Sequence, residues 1–448
     1  MNFPQNLSAE PGDGQLPTRC PYTFRVMEDP AAQHSPFVNP KYQAEWPLPQ
    51  GWQNSSTITF AMAGARSSGK SLYIAVVVKL LKRLVVENGG TFRYADETTR
   101  MIYEEKYEKP LFEQMGLLPP TPPVASSDAH QQRPLIFALT SRQFPGKRIF
   151  VVFRDVAGED LKEEKFVERQ AELDFFRYAN RVIFLYDPMA VPEIARMLEG
   201  TVPSHDVGDD DPTAVLRNVL SVLGPVDRPR ISLCLSKFDT MQFLSEVEHG
   251  AFYGGGDQVN WQRVMSNYGA SFRRDSAPLD QPFDKGASTL LDLEIRSLLS
   301  CLGANELLNQ LNIPLMGSHT YPFRCFAVSA LGAPPEGDRV SRTGIAPFHC
   351  LDPVREVFAE YGLFDGAHIP ADFPSAWGSA PQQPSQVPQQ AAHPGQQHYP
   401  PEDGASPQQA PQRHPGQQPQ QTNPNLSQPE PQQEQPAAGK KKKKWWFK

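Results

Sequence analysis

One stretch of the chain has the residue types and spacing of a phosphate-binding loop. Residues 64–71 read Gly-Ala-Arg-Ser-Ser-Gly-Lys-Ser, a complete G-x-x-x-x-G-K-S pattern between an apolar run and an apolar-rich helical stretch. Glycines let backbone N–H groups close around phosphate oxygens, and a helix N-terminus adds the positive end of its dipole. The lysine is expected to reach the β- and γ-phosphates, and the last serine to hold Mg²⁺. The phosphate-binding residues predicted from this pattern are Gly64, Ser67, Ser68, Gly69, Lys70 and Ser71.

A second motif stands at the end of another apolar run. Asp155 follows Ile-Phe-Val-Val-Phe-Arg and is followed by Val-Ala-Gly158. Asp155 is expected to hold Mg²⁺ through a water, and Gly158 to let a backbone N–H approach the γ-phosphate. Many ATPases place Glu directly after this Asp, whereas Val156 follows here. The D-x-x-G spacing therefore favours GTP.

Two further motifs could read the base. Ser236-Lys237-Phe-Asp239 resembles N/T-K-x-D, with Ser in place of the usual Asn or Thr. Asp239 is expected to accept hydrogen bonds from guanine N1–H and the exocyclic amine, which adenine cannot satisfy. The Lys237 stem would lie over the base. Ser329-Ala330-Leu resembles the S-A-[KL] loop, whose backbone contacts guanine O6.

A threonine that closes over Mg²⁺ should precede the strand before Asp155. Thr121, in a Pro-rich stretch, fits by position. Thr98 and Thr99 are rivals, and the sequence does not decide among the three. The predicted metal ligands are therefore Ser71, Asp155 and Thr121.

Together these motifs resemble those of the translation-factor-related (TRAFAC) GTPases over residues 51–366. The long segments between motifs, the Pro-rich stretch around Thr121 and the sequence Asp-Val-Ala-Gly-Glu-Asp at 155–160 are similar to the bacterial double-GTPase proteins. That family is proposed to act in pairs in prokaryotic signalling or conflict systems. The resemblance implies a Rossmann-like sheet, GTP and GDP, Mg²⁺, a switch cycle, and a protein partner that is a second GTPase or an activator.

Two residues depart from that pattern where hydrolysis would occur. Glu159 stands where many relatives have a Gln that orients the attacking water, and Arg66 occupies a loop position where small residues are common. Arg66 could stabilise transition-state charge, obstruct a partner's arginine finger, or pair with Glu159. We expect slow intrinsic turnover, with Lys70, Gly158, Glu159 and Arg66 as catalytic residues.

These motifs must be positioned by alternating strands and helices, which predict an α/β fold with a mostly parallel sheet covered on both faces. The predicted strands are 57–63, 134–139, 148–155, 181–187, 230–236 and 320–329. The predicted helices are 70–88, 98–115, 161–178, 191–199, 212–224, 286–308 and 352–361. Strands 134–139 and 148–153 are expected to form a hairpin at one edge. The acidic stretch 202–212 is interpreted as a solvated loop, with a cation site as the weaker alternative.

Composition divides the 448 residues into four segments. Residues 1–50 form an irregular N-terminal arm, 51–366 the GTPase domain with insertions, and 367–438 a Pro/Gln-rich linker predicted to be disordered because it cannot bury enough apolar surface. Residues 439–448 are the tail tip. A net charge of −7 argues against a general nucleic-acid binder. The absence of an apolar signal or spanning run, and cysteines within apolar strands, predict a cytoplasmic protein.

The tail tip joins five lysines to Trp445, Trp446 and Phe447. Lysines favour an anionic membrane surface and tryptophans the headgroup boundary, so residues Lys440–Lys448 could place the protein at the inner membrane face. Nucleic acid is the second option, and a solubilising end the third. For the whole chain, the alternatives to a GTPase switch are a P-loop ATPase and a non-hydrolysing nucleotide-binding scaffold.

Overall fold

A computed structural model describes residues 16–119, 133–142, 144–162, 170, 172–202, 210–223, 229–247, 259–312 and 321–364. These residues belong to the first of two compact units, residues 1–376, and the second unit, 377–448, lies outside the described ranges. The described part forms a seven-stranded sheet in the order β2-β3-β4-β1-β5-β6-β7. Its strands are β1 Ser56–Ala63, β2 Phe92–Tyr94, β3 Leu135–Leu139, β4 Ile149–Arg154, β5 Arg181–Tyr186, β6 Arg230–Leu235 and β7 Phe323–Ala327.

Five neighbouring strands of this sheet are parallel. β1 pairs in parallel with β4 and β5, β5 with β6, and β6 with β7, whereas β3 is antiparallel to β4 and to β2. Parallel strands are joined by crossovers, so β4, β1, β5, β6 and β7 all end at one edge of the sheet. Each of the four motifs at strand ends therefore reaches that edge.

Both faces of the sheet are covered, since alternate side chains of β1 lie in two separate apolar clusters. Ile58, Phe60 and Met62 point into one cluster, and Ala61 and Ala63 into the other. The predicted α/β class, with its mostly parallel sheet, is confirmed. The α-helices are Lys70–Glu87 (α1), Glu97–Tyr103, Pro192–Met197, Pro212–Val222, Phe238–Met241, Trp261–Met265, Lys285–Cys301, Asn305–Asn312 and Asp352–Glu360.

The edge strand differs from the prediction. β3 and β4 pair antiparallel, as predicted for this hairpin, but β2 adds to the outside of β3 and takes the edge. β2 has three residues, none of them fully buried, and therefore leaves no apolar run in the sequence.

Three predicted helices also differ. Glu104–Glu113 continues the helix Glu97–Tyr103 in π form and contains Pro110, which cannot donate a helical hydrogen bond. The stretch 286–308 forms two helices because Gly303, at φ +77°, ends the first. The described parts of 161–178 form only short 3₁₀ turns. The adjacent residues Phe175 and Phe176 are both buried, so the buried side chains there do not follow one face of an α-helix.

The arm that precedes β1 packs on the sheet. Phe24 and Trp52 have no exposed surface, and Trp52 stacks on Phe150 of β4 at a ring-centroid distance of 4.4 Å. Arg154, the last residue of β4, donates to the Tyr22 carbonyl. The arm thus supports the strand end that carries Asp155.

The opposite edge of the sheet is held by a buried ion pair. Arg181, at the start of β5, has a fully buried side chain 2.9 Å from carboxylate oxygens of Glu356 and Glu360. Arg324 of β7 also pairs with Glu356, at 2.9 Å. These contacts fix the helix Asp352–Glu360 across the beginnings of the strands.

Among the residues that the structure describes, no helix is long and apolar enough to cross a membrane. Cys234 in β6 and Cys325 in β7 are buried and form no disulfide. The proposed linker 367–438 and the tail tip 439–448 lie outside the described residues.

Candidate functional site

The loop between β1 and α1 has the backbone that a phosphate cradle needs. Gly64 has φ +145°, and a Cβ there would lie 2.2 Å from the Leu185 carbonyl oxygen. Gly69 caps α1 in the left-handed region, at φ +85°. Ser67 shares that region at φ +59°, and Ser68 is buried. The two glycines are thus required by close approach and by conformation, and the loop delivers Lys70 and Ser71 to the first turn of α1.

Lys70 folds back into the loop. Its ammonium donates to the carbonyls of Gly64 at 2.7 Å and Ala65 at 2.9 Å, and the side chain is buried. Burial lowers the pKa of Lys70, while the charges of Asp155 and Asp210 act in the opposite direction. A buried cation whose hydrogen-bond acceptors, the Gly64 and Ala65 carbonyls and the Ser68 hydroxyl, are all neutral is suited to an incoming anion.

Asp155 follows β4 and is buried beside this cation. Both carboxylate oxygens lack a hydrogen-bond partner of standard geometry. Burial raises the pKa of Asp155 to about 6, against smaller lowering effects of the Lys70 charge and the Val156 amide. Two orphaned buried oxygens fit a divalent cation. The described residues hold no group of three or more His, Cys, Asp or Glu side chains that could hold a metal ion.

Gly158 lies directly against the phosphate loop. A Cβ at this position would come within 2.4 Å of the Arg66 backbone nitrogen and 2.7 Å of the Ala65 carbonyl carbon. Only glycine allows this approach, so the turn Gly158–Leu161 and the loop share one surface.

Arg66 pairs with Glu159 across that surface. The guanidinium lies 3.3 Å from the carboxylate, with side chains 48% and 30% exposed. Of the three roles predicted for Arg66, the structure shows the pairing with Glu159. This solvent-accessible ion pair is weak, so it biases the position of Glu159 more than it stabilises the fold.

The base-reading motifs also meet. The Ser329 hydroxyl donates to the Asp239 carboxylate at 2.6 Å, and the Gly332 amide donates to the Ser329 hydroxyl at 2.9 Å. Burial raises the pKa of Asp239, and the Ser329 hydrogen bond lowers it to a smaller extent. Ala330 follows in the same loop and is half-buried.

Lys237 and Ser236 are fixed by the end of β5. Lys237 lies 2.5 Å from the Asp187 carboxylate and adopts φ +48°. The Ser236 hydroxyl donates to the Tyr186 carbonyl at 2.8 Å. The Ser236 side chain therefore links the ends of β5 and β6.

The three threonines considered as Mg²⁺ ligands occupy different parts of the chain. Thr99 is buried, its amide donates to Asp96 at 2.6 Å, and its hydroxyl accepts from the Ile136 amide at 3.2 Å. It therefore ties a helix start to β3. Thr98 lies in the same helix turn. Thr121 lies outside the described residues, and its role stays a prediction.

Three contributors were not identified from the sequence. Asp187 pairs with Lys237, Asp210 contacts the phosphate loop, and the Cys350 thiol donates to the Ser329 carbonyl at 3.1 Å. Asp187 had a usable signal, since it is polar and directly follows a buried strand at the motif edge. Asp210 and Cys350 act through contacts that no local spacing reveals.

Comparison with known proteins supports the motif-based interpretation. The sequence model of the double-GTPase 2 family (DO-GTPase2) matches residues 58–276. A protein of Mycolicibacterium smegmatis, provisionally described as the ESX-1 scaffolding and assembly protein SaeC, is 37% identical over 356 residues, which is 80% of this chain and 87% of that protein.

A solved small GTPase, Arl6 (BBS3) of Trypanosoma brucei with bound GppNp, is 11% identical and covers 61% of this chain and 88% of its own, with a TM-score of 0.22. A likeness at that score adds nothing to the assignment, which rests on the family model and the mycobacterial relative.

The substitution Asp155→Asn is expected to stabilise the nucleotide-free protein at neutral pH. Burial raises the pKa of Asp155 to about 6, above roughly 3.9 in an unfolded chain, so the free energy of unfolding falls as pH rises between these values. Above pH 6 the full penalty, up to about 3 kcal/mol, is present, and Asn removes it.

Urea unfolding without nucleotide or divalent cation, at pH 4.5 and 7.5, measures this effect. The variant should gain about 3 kcal/mol at pH 7.5 but only about 1 kcal/mol at pH 4.5, where the folded carboxyl is still protonated. It should also lose Mg²⁺-dependent nucleotide binding. An equal change at both pH values would contradict the assignment of a buried, unpartnered carboxylate.

Proposed function

Because this chain belongs to the double-GTPase 2 family, we propose that it binds GTP with Mg²⁺, hydrolyses it slowly, and uses its GTP and GDP states as a switch. The observation that carries this proposal is the contact between Ser329 and Asp239 at 2.6 Å, at the same sheet edge as Lys70. A carboxylate presented there suits guanine, whose N1–H and amine are donors, and rejects adenine.

The phosphates would be bound by the loop amides of residues 64–71 and by Lys70. Contact with the γ-phosphate would draw Lys70 away from the Gly64 and Ala65 carbonyls that it now contacts. Ser71 and Asp155 would hold Mg²⁺, whose two positive charges neutralise developing negative charge on the phosphates. Thr121 is the proposed third ligand.

The switch would operate where Gly158 contacts the loop. A γ-phosphate at that point would add contacts to the turn Gly158–Leu161, and its loss would release the turn. Arg66 and Glu159 flank this position as an ion pair. While paired, Glu159 is directed toward Arg66, and a carboxylate cannot donate a hydrogen bond as a Gln amide does. Both features support slow turnover.

The mycobacterial relative indicates the biological setting. Since its description concerns ESX-1 scaffolding and assembly, we propose that this chain is a nucleotide-dependent scaffold in a related bacterial assembly, acting with a second GTPase or an activator. A calorimetric titration that finds no affinity of the wild-type protein for GTP or GDP would contradict this proposal.

The substitution Asp239→Asn is expected to weaken GTP binding by about tenfold or more, because the amide nitrogen of Asn faces a guanine donor and the base loses an acceptor. Affinity for ATP should change by less than about threefold. Calorimetric titration of GTP and ATP in Mg²⁺ buffer measures both.

Ser329→Ala is the matched control, since it removes the hydroxyl that orients Asp239 but keeps the carboxylate. Its loss of GTP affinity should be smaller. Equal wild-type affinity for GTP and ATP would contradict the base assignment and favour the ATPase alternative.

The double variant Arg66→Ala/Glu159→Gln should hydrolyse GTP about tenfold faster or more in a single turnover, because Gln can accept from and donate to water and no arginine restrains it. The wild-type rate should be on the order of 10⁻³ s⁻¹ or slower. Arg66→Ala alone should have an intermediate effect. If that single variant is slower than wild type, Arg66 instead stabilises transition-state charge.

Deletion of residues 439–448 should abolish flotation with vesicles that contain phosphatidylserine, because each lysine contributes about 1 kcal/mol at an anionic surface. Neutral phosphatidylcholine vesicles are the control and should bind neither protein. Unchanged flotation of the shortened protein would rule out this peripheral contact. If instead the full chain binds DNA and the shortened protein does not, the tail tip is a nucleic-acid contact.

A further inference from the structure

Asp210 lies beside the phosphate loop rather than in open solvent. It stands two residues before the helix Pro212–Val222, and its side chain is only 8% exposed. One carboxylate oxygen accepts from the Arg66 amide at 3.4 Å, and the other lies 2.6 Å from the Lys162 ammonium. Asp210 thus connects the phosphate loop to the residue that follows the turn Gly158–Leu161.

The charge of Asp210 acts on the same cation that phosphate would use. It raises the pKa of Lys70 against the larger lowering effect of burial, so its field reaches the Lys70 ammonium. A loop of N–H groups at a helix start attracts anions. The Asp210 carboxylate already contacts one of these N–H groups, and its negative charge, partly offset by Lys162, opposes a phosphate that enters the loop.

The contact lies on one side of the loop. The Arg66 amide that Asp210 accepts from is the atom that a Cβ at Gly158 would approach within 2.4 Å. Since Gly158 is the proposed contact of the γ-phosphate, Asp210 would lie on the γ-phosphate side of the loop. Its repulsion should therefore weaken GTP binding more than GDP binding.

We propose that Asp210 is an internal competitor of the nucleotide: its carboxylate holds the phosphate loop in the nucleotide-free state and sets the ratio of GTP to GDP affinity. This inference rests on the proposed function of the same site. It also makes Asp210 a point of control, because any partner that draws this residue away from Arg66 and Lys162 would raise the affinity for GTP.

The neighbouring residue supplies a matched control. Asp211 carries the same charge, but its carboxylate accepts from the Thr213 amide at 2.8 Å and caps the helix Pro212–Val222. Asn is an equally good N-cap. Asp211→Asn therefore removes one negative charge next to Asp210 without freeing the phosphate loop.

The experiment compares full-length wild type, Asp210→Asn, Asp211→Asn and Asp210→Glu by calorimetric titration of GTP and of GDP, in Mg²⁺ at fixed ionic strength. Asp210→Asn should bind GTP about tenfold more tightly and GDP about threefold more tightly. Asp211→Asn should stay within about twofold of wild type for both nucleotides, and Asp210→Glu, which keeps the charge, within about threefold. Thermal unfolding of each variant verifies that it is folded.

The possible results are distinct. A GTP-to-GDP affinity ratio that is unchanged in Asp210→Asn, or that moves equally in Asp211→Asn, would overturn the inference while leaving the proposed function intact. Weaker GTP binding in Asp210→Asn would also overturn it, because Asp210 would then be a ligand of the nucleotide or its cation. If wild type binds no guanine nucleotide, the proposed function fails and this inference fails with it.

Discussion

The common direction of five strands determines where the motifs at their ends lie. Because β4, β1, β5, β6 and β7 are parallel, the residues that follow them meet at one edge although they are far apart in the chain. A single antiparallel strand among the five would send its motif to the opposite side. The residues that this constraint gathers are Gly64, Asp155, Asp187, Ser236 and Ser329. Ligand sites at the carboxyl ends of such sheets are a general property of α/β proteins.

Three ionisable side chains of the site are buried, and burial disfavours their charged forms. The pKa of Lys70 is lowered, and those of Asp155 and Asp239 are raised, in each case chiefly by burial. Such groups reduce the stability of the empty protein, and a triphosphate with its cation would supply the missing partners. Ligand binding at this site would therefore be linked to folding through the same three side chains.

Sequence patterns predicted the parts of the fold that depend on local order. Each long apolar run became a strand, and each motif at its end reached the expected edge, because burial on both faces of a parallel strand leaves a continuous apolar signature. The short strand β2 carries no such signature, and the π-helical turns around Pro110 read as ordinary helix. The pairing of Arg66 with Glu159 was one of three options, since sequence gives no side-chain direction. Asp210 was interpreted as a solvated loop residue, because its partners come from distant elements.

The buried Arg181 determines how far this chain can be shortened. The family match spans residues 58–276, which excludes β7, the helix Asp352–Glu360 and the arm around Trp52. A fragment with those limits would discard both carboxylate partners of Arg181, together with the helix that covers its guanidinium. The fragment would therefore lose the ion pairs and the packing of that helix against the beginnings of the strands. The ion pairs thus join β5 to a helix outside the family match, and expression boundaries are better drawn to include Asp352–Glu360 than to follow that match.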